Sequence, residues 1–202
     1  MKTRVAADFS ELEYSGYDSR VVTWWGTLAF IALEGMGFLL IYGIFLYVAW
    51  LNPEWPLGYP QQNPFWSTMF TAVLIISLVP NAMVISRCRA QDNRALRWLL
   101  VLMCLIGVAT LVIRWFEFQS LDLHWDDNAY GSMLWVFLGL HTVHLLTDVV
   151  DTFVMTALFF TGHVPQKRFM DADENALYWV FVVVAWLPLY GLLYWSPLLG
   201  SG

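Results

Sequence analysis

The sequence predicts an all-α integral membrane protein, a bundle of five transmembrane helices, and three observations carry that prediction. Of its 202 residues, 59% are hydrophobic and only 13% charged. Mean hydropathy is +0.58, outside the range of ordinary soluble domains. The apolar residues are gathered into five separate runs, each as long as the roughly 20 residues a spanning helix needs. Aromatic residues make up 17% of the chain, and many stand at the ends of those runs, where amphipathic rings favour the headgroup layer.

The runs fall at about 24–50, 65–86, 96–118, 131–161 and 174–196, within a transmembrane domain over 23–198 that follows an N-terminal segment at 1–22. The stretch from Met1 to Arg20 is polar and lacks the apolar centre and small-residue cleavage site of a secretory signal, so the first span is expected to be retained. Between the first two runs, Asn52 to Pro64 carries Pro53, Pro56, Pro60 and Pro64, a density that predicts a loop. Asp171, three residues before Glu174, reads as the cap that opens the fifth helix. Cys88 is expected in a loop and Cys104 inside a span, so no disulfide is expected between them.

Lys and Arg accumulate in cytoplasmic segments. Here Lys2, Arg4 and Arg20 precede the first span, Arg87, Arg89, Arg94 and Arg97 lie between the second and third, and Lys167 and Arg168 lie between the fourth and fifth. Those places share one side of a five-span protein. The opposite side holds the 52–64 segment, the acidic Asp122, Asp126 and Asp127 segment and the tail after Pro197, none with a Lys or Arg. The expected topology is N-terminus inside and C-terminus outside. A formal net charge of −6 and a pI near 5.0 exclude nucleic acid as a partner, since a phosphate backbone demands a basic face.

An ionisable group at the bilayer centre costs about 2.5–3.5 kcal/mol on insertion scales, so each one needs a partner or a purpose. Glu34 lies about ten residues into the first run, near mid-membrane, and is either protonated or hydrogen-bonded to a neighbouring helix. Its role is structural, or concerned with protons or lipid. Arg114 and Glu117 stand one turn apart, the spacing at which a guanidinium meets a carboxylate, and predict an ion pair that locks helices together. In the fourth run His141, His144, Asp148 and Asp151 are spaced i, i+3, i+7 and i+10, which puts all four on one helix face. That face is expected to point into the bundle or at a protein partner.

A metal site built on it would need facing ligands, and the chain offers mainly Glu34 and Glu117. Haem held by two imidazoles needs one on each side of the ring, whereas His124 and His163 fall in loops. The favoured reading is a hydrogen-bonded packing stripe, with no catalytic, cofactor-binding or metal-binding residue. There is no phosphate-binding glycine loop, no Cys pair with metal spacing and no nucleophile-base-acid set. This points to an accessory subunit rather than a self-sufficient enzyme.

Several motifs carry a resemblance. Trp24-Trp25-Gly26 with Glu34, Glu117-Phe118, Tyr130-Gly131-Ser132, Gly139-Leu140-His141-Thr142-Val143-His144, and Glu174 leading into Tyr178-Trp179-Val180-Phe181-Val182, Trp186 and Tyr190 together resemble subunit III of haem-copper terminal oxidases. The likeness extends over nearly every span and is to the short, five-helix form. It implies that Glu34 matches the family's buried helix carboxylate and that His141 and His144 match its paired histidines. It further implies a non-catalytic component of a cytochrome oxidase, a proton-pumping oxygen reductase of the aerobic electron transport chain. Such a subunit docks on catalytic subunit I, beside subunit II, in the bacterial inner membrane. Haem and copper belong to the partner, while this subunit binds phospholipid and supports proton uptake and stability. The chain departs from the pattern at Val180 and Val183, where His and Asp are usual, and at Asp148, where glycine is common. The related accessory subunit of nitric oxide reductase is the nearest alternative. An independent membrane metal- or haem-binding protein using the fourth-span stripe is the alternative from another class. A transporter is disfavoured because no inverted repeats or broken helices are visible.

Overall fold

The computed structural model describes residues 22–52, 55, 63–161 and 166–195. Among them are five α-helices: α1 (Val22–Leu51), α2 (Phe65–Arg89), α3 (Asn93–Gln119), α4 (Ala129–Phe160) and α5 (Gln166–Tyr194). All five are long and apolar enough to cross a membrane, and no strand occurs among the described residues. At 1.5 Å per residue even α2, with 25 residues, reaches about 37 Å, more than the roughly 30 Å hydrocarbon core.

Helices α2, α3, α4 and α5 close a ring in which α2 packs on α3, α3 on α4, α4 on α5 and α5 back on α2. Helix α1 lies outside that ring, against α5 and α4. The core is therefore centred on the ring, around Phe70, Leu74, Leu134, Phe137, Trp179 and Trp186, all buried. Most of α1 turns outward, with Leu33, Met36, Leu39, Leu40 and Trp50 exposed, the arrangement expected where lipid tails replace water. Pro80 and Pro188 lie inside α2 and α5 without ending them, as spanning helices with supporting neighbours permit.

The turns explain the connections. Ala90, Gln91 and Asp92 join α2 to α3 in a tight hairpin, with Gln91 at φ 53° and the Asp92 carboxylate accepting the Ala95 N–H to start α3. Asn128 does the same for α4, accepting the Gly131 N–H at 2.7 Å. Gly131 is required there, because a Cβ would lie 2.4 Å from the His124 carbonyl oxygen. Most of the proline-rich 52–64 segment lies outside the described residues, as do His163 and the N-terminal residues up to 21. Trp55, which is described, wedges its ring against Phe45 and Tyr130 at one end of the bundle.

Two sequence expectations are corrected. The fifth helix starts at Gln166, eight residues before the expected 174, so Asp171 is a residue within α5 and not its cap. The polar first turns are held because Phe169, Ala172, Ala176 and Trp179 continue a buried face at helical spacing, and Phe169 meets Phe159 of α4 at 5.4 Å. Cys88 is not in a loop: α2 continues to Arg89, and the thiol is buried on the core-facing side of its last turn. No disulfide joins Cys88 and Cys104.

Candidate functional site

Two polar clusters lie inside the bundle, and between them they hold Glu34, Arg114, Glu117, His141, His144, Asp148, Asp151 and Glu174. The first is closed on all sides. Arg114 and Glu117 of α3 are 1% and 2% exposed, a burial that neither charge could bear alone. One guanidinium nitrogen of Arg114, Nη1, donates to Glu117 Oε2, while Nη2 faces His141 Nδ1 at 3.2 Å. The guanidinium plane also lies over the rings of Phe70 at 3.8 Å and Trp186 at 4.2 Å. Glu117 Oε1 accepts hydrogen bonds from the Ser67 hydroxyl and from the Tyr194 hydroxyl, the latter at 2.7 Å. His141 completes the chain, its Nε2 facing the Val182 carbonyl at 3.0 Å. One tautomer satisfies both contacts, with Nε2–H donating to the carbonyl and Nδ1 accepting from the arginine. Both ring nitrogens are thereby engaged, so His141 has no free lone pair for a metal or haem.

This cluster ties four helices: Ser67 and Phe70 on α2, Arg114 and Glu117 on α3, His141 on α4, and Val182, Trp186 and Tyr194 on α5. Its neighbours continue the seam between α2 and α5. Trp186 Nε1 donates to Thr71 at 2.7 Å, Trp179 Nε1 to Ser77 at 2.8 Å, and Asn81 Nδ2 to the Ala176 carbonyl at 2.8 Å. Each such bond satisfies a polar group that hydrocarbon would otherwise penalise by several kcal/mol.

The second cluster is more open and lies where α1 meets α4 and α5. Glu34 Oε2 accepts from the Tyr178 hydroxyl at 2.6 Å, and Oε1 lies 3.7 Å from His144 Nε2. The other His144 nitrogen, Nδ1, faces the Leu140 carbonyl at 2.8 Å. Glu34 is therefore held from two neighbouring helices, one of the two environments expected for it. Further along, Asn175 Nδ2 donates to Asp148 and Asp151, each at 3.1 Å, and its amide oxygen accepts from Thr152. Thr27 of α1 donates to Glu174 at 3.1 Å. The fourth-span stripe is thus divided: His141 and Asp148 are buried, whereas His144 is half-buried towards Glu34 and Asp151 is exposed at the rim.

Sequence reading missed the partners more than the charged residues themselves. Ser67, Tyr194 and Asn175 hold the clusters together, yet a lone Ser, Tyr or Asn in an apolar run gives no signal of its own. Tyr178 was visible only as part of a motif. Among the described residues, no group of three or more His, Cys, Asp or Glu side chains converges closely enough to hold a metal ion.

Against this architecture, the comparisons with known proteins agree. The family model described as cytochrome c oxidase subunit III matches residues 7–197. The cytochrome c oxidase subunit 3 of Drosophila yakuba is 26% identical over 90% of this chain and 73% of its own length. That of Lumbricus terrestris is 28% identical over 90% of this chain and 74% of its own, and that of a Synechocystis species 24% identical over 84% and 73%. With residues 7–197 of 202 matched, and with five helices long and apolar enough to cross a membrane, the chain belongs to the cytochrome c oxidase subunit III family.

Proposed function

We propose that this protein is an accessory subunit of a haem-copper respiratory oxidase, docked on catalytic subunit I beside subunit II in a bacterial inner membrane, and that it stabilises the complex and supports proton uptake. The observation that carries this reading is the family match over 7–197 of a chain whose buried Arg114–Glu117 pair is neutralised within the subunit. Arg114, Glu117 and His141 direct their hydrogen bonds to groups on four helices of the same subunit, which suits a rigid support rather than a reaction centre. Haem and copper are assigned to the partner subunits.

The proposed orientation, N-terminus inside and C-terminus outside, is supported by the clustering of cations at one end of the bundle. Arg87 and Arg89 close α2, Arg94 and Arg97 open α3, and Arg89 lies 4.0 Å from Asp173 in the first turns of α5. The opposite end, with Asp122, Asp126 and Asp127, has no Lys or Arg among its described residues.

Phospholipid is the proposed ligand of the α1–α5 face. An apolar groove of about 380 Å³ runs there, lined by Gly35, Phe38, Leu39, Phe181, Val184 and Pro188, and an acyl chain suits its shape and chemistry. Co-purification tests the assignment. Extraction in mild detergent should recover this chain with a large haem-bearing subunit and with bound phospholipid detectable by native mass spectrometry. Recovery of the chain alone, or of the chain with its own chromophore, would overturn it.

A further inference from the structure

The hairpin that joins α2 to α3 carries two pairs of arginines, and the fold treats them differently. Arg87 and Arg89, in the last turn of α2, each face a carboxylate: Arg87 lies 3.4 Å from Asp92 and Arg89 4.0 Å from Asp173. Arg94 and Arg97, in the first turns of α3, face none. Among the described residues no carboxylate lies within ion-pair distance of either guanidinium. The two stand three residues apart on one helix face, where like charges repel. The dipole of α3 adds to the cost at Arg94, and the Asp92 carboxylate that could offset it is already engaged by Arg87 and by the Ala95 N–H. Retention of cations on one side of the membrane accounts for their presence at this end of the bundle, but not for how they are arranged.

The arrangement is that of a donor set. Arg97 is oriented on both sides: its Nε donates to Asn93 Oδ1 at 3.1 Å, and its guanidinium lies over the Phe160 ring of α4 at 5.6 Å. Both of its terminal nitrogens are left without a partner among the described residues. Trp98, one turn from Arg94, is 67% exposed and meets Phe160 edge-on at 6.4 Å, and its indole N–H has no partner among the described residues either. Two guanidinium forks and an indole N–H offer several donors and no acceptor, which calls for an anion with more than two oxygens. A phosphate group fits, because its tetrahedral oxygens match the fork of one arginine while leaving others for the second arginine and the indole. Beneath the donors the surface is apolar. Leu102 and Leu105 continue the Trp98 face of α3, and Phe153 continues the Phe160 face of α4, all of them exposed. Helix α1 packs on α4 and α5 and not on α3, so this seam is separate from the groove described above.

We propose that Arg94, Arg97 and Trp98 form a phosphate-binding site where α3 meets α4. The phosphate is supplied by a free anion from the aqueous phase or by the phosphodiester of an anionic phospholipid whose chains follow the α3–α4 seam. The site stands on its own geometry and not on the docking partners proposed above, so a complex that assembles normally yet shows no phosphate recognition here refutes only this inference.

The test uses the intact complex in neutral detergent. One arm measures binding of radiolabelled inorganic phosphate by equilibrium dialysis at constant ionic strength. The other reconstitutes the complex with phosphatidylglycerol or phosphatidylcholine and compares lipid retention by native mass spectrometry. Saturable phosphate binding assigns a free anion; preferential retention of phosphatidylglycerol without it assigns the headgroup. The decisive variant is Arg97→Lys, which keeps the charge and therefore the topology but removes the fork, and it should weaken binding about tenfold. Arg94→Lys, altered at an exposed side chain, should weaken it at least about threefold. Arg87→Lys, at an arginine already paired, should leave it unchanged within about twofold. The difference between wild type and Arg97→Lys also separates this site from lipid held elsewhere on the subunit. The proposal is overturned if the wild-type complex neither binds phosphate nor prefers phosphatidylglycerol. It is equally overturned if both α3 variants bind as wild type does, or if Arg87→Lys weakens binding as much as Arg97→Lys, since positive charge alone would then explain the result.

Discussion

Glu117→Gln isolates the buried charge pair with little change in shape. Glutamine occupies nearly the same volume, and its amide oxygen can still accept from Tyr194 and Ser67. What is lost is the negative charge beside Arg114, whose side chain is 1% exposed. Removing one partner of a buried pair costs about 3–5 kcal/mol, because the other charge stays desolvated. Here Arg114 keeps His141 and its positions over Phe70 and Trp186, which together place the expected loss at the lower bound, about 3 kcal/mol. That corresponds to about a hundredfold shift of the folding equilibrium. The measurement is a denaturant titration of the complex in bicelles, read by tryptophan fluorescence. Adding Arg114→Met should recover most of the loss, to within about 1.5 kcal/mol of wild type, since a neutral pair of similar volume carries no desolvation penalty. A single variant costing under about 1 kcal/mol, or a double variant as unstable as the single, would refute the view that mutual neutralisation is what keeps these charges buried.

Three further outcomes follow from the same geometry. Gly107→Ala should destabilise by about 1–3 kcal/mol, since its Cβ would lie 2.7 Å from the branched Val149 side chain where α3 crosses α4; Gly139→Ala, with nothing within 4 Å, should be neutral within about 0.5 kcal/mol in the same titration. Trp186→Phe should cost about 1–3 kcal/mol, leaving Thr71 without its indole donor and Arg114 with a smaller ring; an unchanged unfolding midpoint would contradict both contacts. Glu34→Ala should leave assembly intact while shortening turnover lifetime or reducing bound lipid, and wild-type behaviour in both would confine Glu34 to a structural role.

The five helices were legible because hydrocarbon leaves a spanning segment no alternative to a long apolar run. Where that constraint ends, the reading failed. The first two turns of α5 contain Lys167, Arg168, Asp171 and Asp173, which give no hydropathy signal, although Phe169, Ala172 and Ala176 carry the helical spacing of a buried face. Cys88 was misplaced for a similar reason: arginines at 87 and 89 looked like a loop but are the exposed side of the last turn of α2. The charged members of both clusters stood out because charge is rare in such a chain. Their partners did not, because whether Ser67 or Asn175 turns inward depends on helix rotation, which the ring of four helices sets.

The two clusters also differ in what the fold can do with them. The Arg114 cluster is enclosed by four helices and partnered almost throughout, so any ligand entering it would have to break bonds already made. The Glu34 and Asp148 side is bounded by α1, which is held by a few polar contacts: Tyr42 to the Ala185 carbonyl at 2.6 Å, Tyr178 to Glu34, and Thr27 to Glu174. Helix α1 lies outside the ring, so its displacement need not open the core, and the apolar groove borders it. Exchange of the phospholipid proposed for the α1–α5 groove should therefore proceed by movement of α1. Tyr42→Phe, which removes one of those ties while keeping the ring, should accelerate lipid exchange without changing the unfolding midpoint by more than about 1.5 kcal/mol. Exchange at the wild-type rate would show instead that α1 is fixed by its aromatic packing and that the groove fills only during assembly.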